Sequence, residues 1–354
     1  MRTGIGSVEP VWPDVRRIAV LRGGGLGDLV FAMPAFEALD AAYPDAEIVL
    51  LGVPGFAELL ADRPGPVDRV VTLPPAKGVY EVDGPCDWDG FARAVGPIDL
   101  GVQLHGGGRN SNPFLLRLAP RWTVGACTPD AAELTRWLPY RYYQNEVMRA
   151  LEIVGLAGAA PVSVVPRLAV TPRDLANAAA ALDGLPEPLL TIHPGATDPR
   201  RRWPAERFAE IAAAVAAGGA GVAVVGSPAE RDLVGKVAAL AGAPSVWPLA
   251  DLDLAGLCGV LAASRVVLAN DSGPRHIAEA VGTATVGVFW LGNALNAGSL
   301  GRGNHRVLLS WTTRCPECGV DCTREDVPRC EHDVSFVAGV PVADAMREVV
   351  DLLD

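Results

Sequence analysis

At 354 residues the chain is long enough for two ordinary domains, each with its own core. Half of it is apolar, aromatics are few, and Ala and Gly are abundant, a helix-and-sheet composition that excludes a disordered chain. A net charge of −11 excludes a general nucleic-acid binder, whose affinity would come from neutralising phosphates, but leaves room for a local basic pocket.

Residues 1–17 hold no apolar segment of signal-peptide length. The longest apolar tract, Ile211 to Val225, contains Gly218-Gly219 and Gly221 and reads as a helix end passing into a strand, not as a membrane span. The cysteine count, 7, is odd and disfavours a fully disulfide-paired secreted protein, so a cytoplasmic location is expected.

The first predicted strand is Arg17–Arg22, followed by a Gly-rich turn and a helix from about Asp28 to Ala42, with Pro34 kinking or restarting it. Strands Glu47–Leu51, Arg69–Leu73, Ile98–Leu104 and Trp122–Gly125 follow, several of them separated by helices. Between about Glu146 and Val170 come a helix, a Gly-containing break and a stretch bounded by Pro161, Pro166 and Pro172, which reads as an inter-domain linker. The alternation then restarts. Strands Leu189–His193, Gly221–Val225, Ser245–Trp247, Val266–Leu268 and Thr285–Phe289 alternate with helices Ala205–Ala217, Glu230–Ala241, Leu254–Ala263 and His276–Val281. Strands alternating with helices imply right-handed crossovers and parallel sheets. The expectation is α/β, two Rossmann-like doubly wound domains with a cleft between their carboxyl strand ends.

Several strand–turn–helix junctions carry residues suited to chemistry. Gly23-Gly-Gly-Leu-Gly27-Asp28 resembles a dinucleotide fingerprint, but its third glycine position is Asp28, where a carboxylate would repel a pyrophosphate. Asp28 therefore reads either as a general base or as a helix-capping acid. In His193-Pro-Gly195-Ala196-Thr197 a strand ends and a small-residue turn begins. Arg200, Arg201 and Arg202 follow, either an anion site in an acidic chain or a solvated basic loop. Gly226-Ser227-Pro-Ala-Glu230 is a third such turn, in which Glu230 either accepts from ribose hydroxyls or is a first-turn acid. Asn270-Asp271-Ser272-Gly273-Pro-Arg275-His276 opens a helix whose N-terminal N–H groups and positive dipole end suit phosphate; capping by Asp271 or Ser272 and a satisfied core histidine are the plainer alternative. Asp251/Asp253 and Asp87/Asp89 have D-x-D spacing but sit as helix caps and loop acids, not metal ligands. Cys315-Pro-Glu-Cys318-Gly-Val-Asp-Cys322, with Cys330 and then His332, fits the turns of a structural zinc site, with Cys315, Cys318, Cys322 and Cys330 as ligands; unmetallated thiols or a labile disulfide are the alternatives.

Together, Arg22-Gly-Gly-Gly-Leu-Gly-Asp28 with Pro34, His193 through Thr197 to Arg201-x-Trp203-Pro204, Gly226-Ser-Pro-Ala-Glu230 and Asn270-Asp-Ser-Gly273-x-x-His276 resemble the ADP-heptose:lipopolysaccharide heptosyltransferase family, glycosyltransferase family nine. The Cys-rich tail is similar to a cysteine cluster in part of that family. The resemblance implies a GT-B fold. Its N-terminal acceptor-binding domain would cover residues 1–165 and its nucleotide-sugar-binding domain 166–335, with a last helix in 336–354 packing back on the first domain. It implies that Asp28 takes the proton from an acceptor hydroxyl and that Thr197 and Arg201 contact the donor diphosphate, Arg201 aiding catalysis. It places Asp271, Ser272, Gly273 and His276 at the nucleotide-diphosphate turn, Glu230 on the ribose and Leu252 near the adenine. His193, Gly195, Ala196, Gly226 and Ser227 line the donor turns; Gly25, Gly27 and Arg109 face the acceptor.

The reaction implied is inverting transfer from a nucleoside-diphosphate sugar, most readily ADP-linked, to a glycan or small-molecule acceptor. No metal or cofactor would be needed for catalysis, and peripheral membrane association is compatible with it. A GT-B-fold sugar-nucleotide epimerase and a non-catalytic nucleotide-sugar-binding protein are the alternatives. Two stretches depart from the family pattern: Ser272-Gly-Pro-Arg275, where Arg275 would alter the phosphate contacts, and Trp290-Leu-Gly-Asn-Ala. By its position alone, Leu295–Gly303 would form a further loop lining the donor pocket.

Overall fold

The computed structural model describes residues 4–354. The chain divides into two compact units, with the boundary between Ala169 and Val170. The Pro-bounded stretch predicted as a linker does contain the boundary, a few residues after the expected position.

In the first unit β1 (Arg17–Leu21), β2 (Glu47–Gly52), β3 (Arg69–Thr72), β4 (Leu100–Gln103), β5 (Trp122–Cys127) and β6 (Arg136–Pro139) form one sheet in the order β3-β2-β1-β4-β5-β6. Every pairing is parallel; Val20, for example, sits opposite Leu50 on one side and Val102 on the other. Strands covered on both faces read as continuous apolar runs, which is why Ile18-Ala-Val-Leu21 shows no alternation. Ala19, Leu21, Val49 and Leu51 face a core completed by Phe91, Val95 and Phe114, while Ile18, Val20, Ile48 and Leu50 are equally buried on the opposite side. Helices α1 (Leu26–Ala42), α2 (Pro54–Leu60), α3 (Trp88–Val95), α4 (Ser111–Leu116) and α5 (Glu146–Gly155) connect and cover the strands. Pro34 lies inside α1, which runs on past it as one helix. Strand β6 escapes sequence reading because Arg136-Trp-Leu-Pro139 has no β-branched residue, ends in proline and is a half-exposed edge.

The second unit repeats this plan. Its strands are β7 (Leu189–His193), β8 (Gly221–Val225), β9 (Val246–Leu249), β10 (Val266–Asn270), β11 (Ala284–Trp290) and β12 (His305–Ser310), in the parallel order β12-β11-β10-β7-β8-β9. Helices α6 (Pro172–Leu182), α7 (Ala205–Ala217), α8 (Arg231–Ala241), α9 (Leu254–Ala263), α10 (Gly273–Ala280), α11 (Leu291–Ala297) and α12 (Val342–Leu353) surround it. Leu190, Ile192, Val222, Val224, Val266 and Leu268 face a core with Phe208, Ile211, Val234 and Val349; Leu189, Ala223 and Val225 face Ala178 and Val260.

Both sheets have the strand order in which chain direction reverses beside the first strand: between β1 and β4, and between β7 and β10. Ligands of doubly wound sheets bind outside the carboxyl ends of the strands at that point. The last helix expected in 336–354 forms as α12, and Ala345 and Val349, its buried face, pack in the second unit's core beside α7 and the sheet.

Candidate active site

The β7–β10 switch point gathers three of the turns read from the sequence. His193 ends β7, and its Nδ1 lies 2.9 Å from Ser272 Oγ at the start of α10. Asn270, the last residue of β10, fixes the intervening loop: its Nδ2 donates to Pro194 O at 2.8 Å and its Oδ1 accepts from Trp203 N at 2.9 Å. Trp203 is fully buried and donates through Nε1 to Val340 O at 3.0 Å, so the loop from His193 to Trp203 is clamped at both ends.

Within that loop the three arginines separate. Arg200 folds back on Asp198, Nε to Oδ1 at 3.0 Å, and Arg202 Nε donates to Ala196 O at 2.8 Å. Arg201 Nη1 donates to Asp271 Oδ2 at 3.1 Å. Of the two readings of the triplet, neither a three-cation cluster nor a wholly solvated loop forms: two guanidiniums hold their own loop, and Arg201 joins the β10 turn. Asp271 also meets His276 Nε2 at 2.9 Å. Arg275 Nη1 lies 3.0 Å from His276 Nδ1 and can only donate, so that nitrogen accepts and Nε2–H points to Asp271. Burial by itself would raise the Asp271 carboxyl, but the His276 hydrogen bond and the nearby Arg201 and Arg275 charges win and hold it below its ordinary value. Arg275 does not face phosphate as expected. It is fully buried, ion-paired with Glu279 at 3.1 Å, bonded to Ser299 and stacked over Phe289 at 4.8 Å.

Glu230 joins the same cluster from the β8 turn. One carboxylate oxygen accepts from Ser227 N at 2.9 Å and Ser227 Oγ at 2.8 Å, and lies 3.6 Å from His193 Nε2. A Cβ at residue 195 would stand 1.8 Å from Glu230 Oε1, so any larger residue there would displace that carboxylate from its present position. Gly226 is also tight, its Cβ position lying 2.6 Å from Val234. His193 first, then Ser227, lower the Glu230 carboxyl from 4.5 to about 2. A lowered folded-state value stabilises the fold above the unfolded value and loses that contribution as pH falls toward the folded one. Urea unfolding between pH 5 and pH 2 should therefore show a steeper loss of stability for the wild type than for Glu230→Gln; equal slopes would contradict the geometry.

In the first unit Asp28 sits in the first turn of α1, after β1. Its Oδ2 accepts from Gly25 N at 2.8 Å and its Oδ1 accepts from Arg22 Nη2 at 2.6 Å. Arg22 is buried, its side chain 7% exposed, and is further held by Leu104 O and by Glu146 at 3.3 Å, whereas the Asp28 side chain is 41% exposed. The carboxylate thus caps its helix, as one of its two readings has it, and still presents an open edge. Gly24, at φ +97°, lies so close that a Cβ would come within 2.4 Å of Asp28 Oδ2. Next to this turn a cleft of about 470 Å³ is lined by Gly24, Val53, Pro54, Tyr80, Glu81 and His105. His105, in the loop after β4, accepts from Gly23 N at 3.2 Å through Nδ1 and donates to Gly78 O at 3.3 Å. Burial, then the Arg22 charge, push its pKa below the ordinary value, leaving a neutral ring beside Asp28. Sequence reasoning missed His105, Glu146 and the role of Arg22; the signal was Leu104-His-Gly-Gly-Gly108, another strand-end glycine turn. Gly25 and Gly27 open α1, and Arg109 is an exposed cation paired with Asp130 at 2.8 Å.

Residues 134–325, more than half of the chain, match the family model of glycosyltransferase family 9 (heptosyltransferase). The chain belongs to glycosyltransferase family 9. It is 26% identical over 314 residues to lipopolysaccharide heptosyltransferase 1 of Pseudomonas aeruginosa, covering 85% of this chain and 86% of that protein. Its fold is similar to the glycosyl transferase family 9 structure from Veillonella parvula, with a TM-score of 0.77 at 16% identity, covering 98% of this chain and 99% of that one. The E. coli heptosyltransferase WaaC solved with ADP matches with a TM-score of 0.66 at 18% identity over 96% of this chain and all of that one. The expected fold class, α/β with two Rossmann-like units of the GT-B type, stands, and the protein is a glycosyltransferase.

In this family 9 chain the predicted donor residues His193, Gly195, Arg201, Glu230, Asp271, Ser272 and His276 meet at one switch point. Ala196 stands on the loop that Arg202 holds, and Thr197 is exposed on it. Gly273 opens α10. Leu252 stands in the loop after β9 and packs on the small core with Val225 and Val260. The loop expected at Leu295–Gly303 is corrected in its first part, because α11 carries the chain to Ala297. Asp253 caps α9 by accepting from Gly256 N at 2.7 Å, as expected, whereas Asp251, also read as a cap, pairs with Arg231, and Asp87, read as a loop acid, caps α3 at 2.9 Å from Gly90 N. Among the described residues no helix is long and apolar enough to cross a membrane.

Proposed function

We propose that this glycosyltransferase moves a heptose or a related sugar from an ADP-linked donor to a hydroxyl of a lipopolysaccharide-type acceptor, with inversion at the anomeric carbon and no metal ion required in the transfer step. The observation that carries this is the Arg201–Asp271–His276 cluster at the start of α10. The first-turn N–H groups of that helix have no helical acceptor, and the positive dipole end favours an anion. Arg201 gives one of its five donors to Asp271 and keeps the others for a diphosphate. Asp271 would repel phosphate if it were unpaired; paired as it is, it orients Arg201 and His276. Glu230, kept ionised, is an acceptor for ribose hydroxyls. The relative's name supports a lipopolysaccharide acceptor, and WaaC with ADP supports the nucleotide.

Asp28 takes the acceptor's proton, the acceptor oxygen forms its bond to the anomeric carbon, and the bond to the diphosphate oxygen breaks. The electron pair leaves on the diphosphate, where Arg201 and the α10 N-terminus stabilise it. Arg22 fixes the Asp28 carboxylate, and His105, with both ring nitrogens engaged by Gly23 N and Gly78 O, keeps its turn in shape.

A nucleotide screen by thermal unfolding tests the donor reading. At one hundred times its Kd, ADP should stabilise the protein by about 2.7 kcal/mol, with GDP and UDP giving less. Arg201→Ala should abolish most of the shift. A response to UDP alone, or no loss in the variant, would contradict the assignment.

A further inference from the structure

The segment between β12 and α12 belongs to no strand of the sheet and carries Cys315, Cys318, Cys322 and Cys330. Its first part, Cys315-Pro-Glu-Cys318-Gly319, is a tight turn. Gly319 takes φ +70° and donates to Cys315 O at 2.9 Å, and Cys315 N donates to Val320 O at 2.9 Å. Backbone N–H groups of Cys318 and Glu317 point at the Cys315 sulfur, and that of Val320 at the Cys318 sulfur. Backbone donors of this kind orient a sulfur, as the outer shell of a metal site does.

The rest of the segment then brings two further ligating groups to this turn. One donor atom from each of Cys315, Cys318, Cys330 and His332 lies within 4.8 Å of the others. A tetrahedron with metal–sulfur bonds of about 2.3 Å has edges of about 3.8 Å, so closure needs inward shifts of about 1 Å. Cys322, included in the set from spacing, lies outside this group; its thiol donates to Val320 O at 3.3 Å. The irregular spacing of the second pair has a simple cause: the fourth ligand is an imidazole.

We infer that Cys315, Cys318, Cys330 and His332 bind one tetrahedral divalent cation of the thiolate-preferring class, zinc by the chemistry of a Cys3His set. The ion has a structural task that can be read from its surroundings. The segment it ties together rests on the arginine loop of the donor site: Phe336 N donates to Arg200 O at 2.7 Å, Ser335 Oγ to Arg202 O at 2.6 Å, and Arg329 lies 3.5 Å from Asp198. These contacts flank Arg201 on both sides. A metal here closes an otherwise element-free loop and holds the backbone from which Arg201 projects.

The test uses the full chain purified without chelator and analysed for zinc and iron together. About one ion per chain is expected, and ferrous iron in place of zinc would name the metal while keeping the site. Cys330→Ser and His332→Ala should lose the metal, and Cys322→Ser should keep it. Stripping the wild type and adding cobalt(II) should give the absorption of a tetrahedral thiolate complex, a readout independent of activity and of whether the ligand variants fold. Three results would overturn the site: no ion in the wild type before or after zinc addition, a disulfide among the four cysteines in the isolated protein, or metal loss in Cys322→Ser with retention in His332→Ala.

Discussion

Asp28→Asn should slow sugar transfer by about 10²–10⁴-fold while leaving ADP binding and the fold intact. The asparagine keeps an oxygen for the Gly25 N–H and is nearly isosteric, so α1 remains capped. What disappears is the negative charge that pulls a proton from the acceptor hydroxyl. The buried Arg22 guanidinium loses one charged partner but retains Glu146 and the Leu104 carbonyl, which limits the cost in stability. Steady-state transfer rates, with a nucleotide thermal shift as the control, check this. A variant that turns over at the wild-type rate would remove Asp28 from the chemistry and leave it as a capping residue.

Asp271→Ala should destabilise the second unit by about 3 kcal/mol and abolish the nucleotide-induced thermal shift. Taking one partner out of a buried ion pair leaves the other charge uncompensated, at a cost of about 3–5 kcal/mol. The lower end applies because Arg201 is partly exposed and can recover water, and because His276 donates to Asp271 from a neutral ring and leaves no charge behind. The loss of the thermal shift has a separate cause. Asp271 is the carboxylate that orients Arg201 Nη1 and His276 Nε2, so its removal would loosen the guanidinium proposed to hold the diphosphate. Chemical denaturation and the ADP titration together separate the two effects. Unchanged stability would mean that the cluster is not formed in solution.

Much of this arrangement was legible in the sequence, because each part is local. Buried parallel strands such as Val266–Asn270 appear as apolar runs, and the turns after them are marked by glycine beside Asp, Ser or His. Leu189–His193, Ala205–Ala217 and Leu254–Ala263 end where sequence reading puts them, since each is bounded by a cap, a glycine or a proline. What was not legible depends on the third dimension. Nothing in Arg200-Arg-Arg202 says which guanidinium reaches Asp271, because that is decided by Asn270 and Trp203 clamping the loop. Nothing in the spacing of Arg275 shows it turning inward to Glu279 and Phe289. Arg22, His105 and Glu146 come from β1, the loop after β4 and α5, far apart in sequence. The edge strands β6 and β12 carry weak patterns because an edge is only half buried.

The most direct measurement is the mass of an inner-core lipopolysaccharide acceptor after incubation with ADP-heptose and either the wild type or Asp28→Asn, both shown to bind ADP. The wild type should yield an acceptor one heptose heavier, with inverted anomeric configuration, and the variant should yield almost none. Transfer by both proteins alike, or release of free heptose with the acceptor unchanged, would contradict a base-assisted transfer at Asp28.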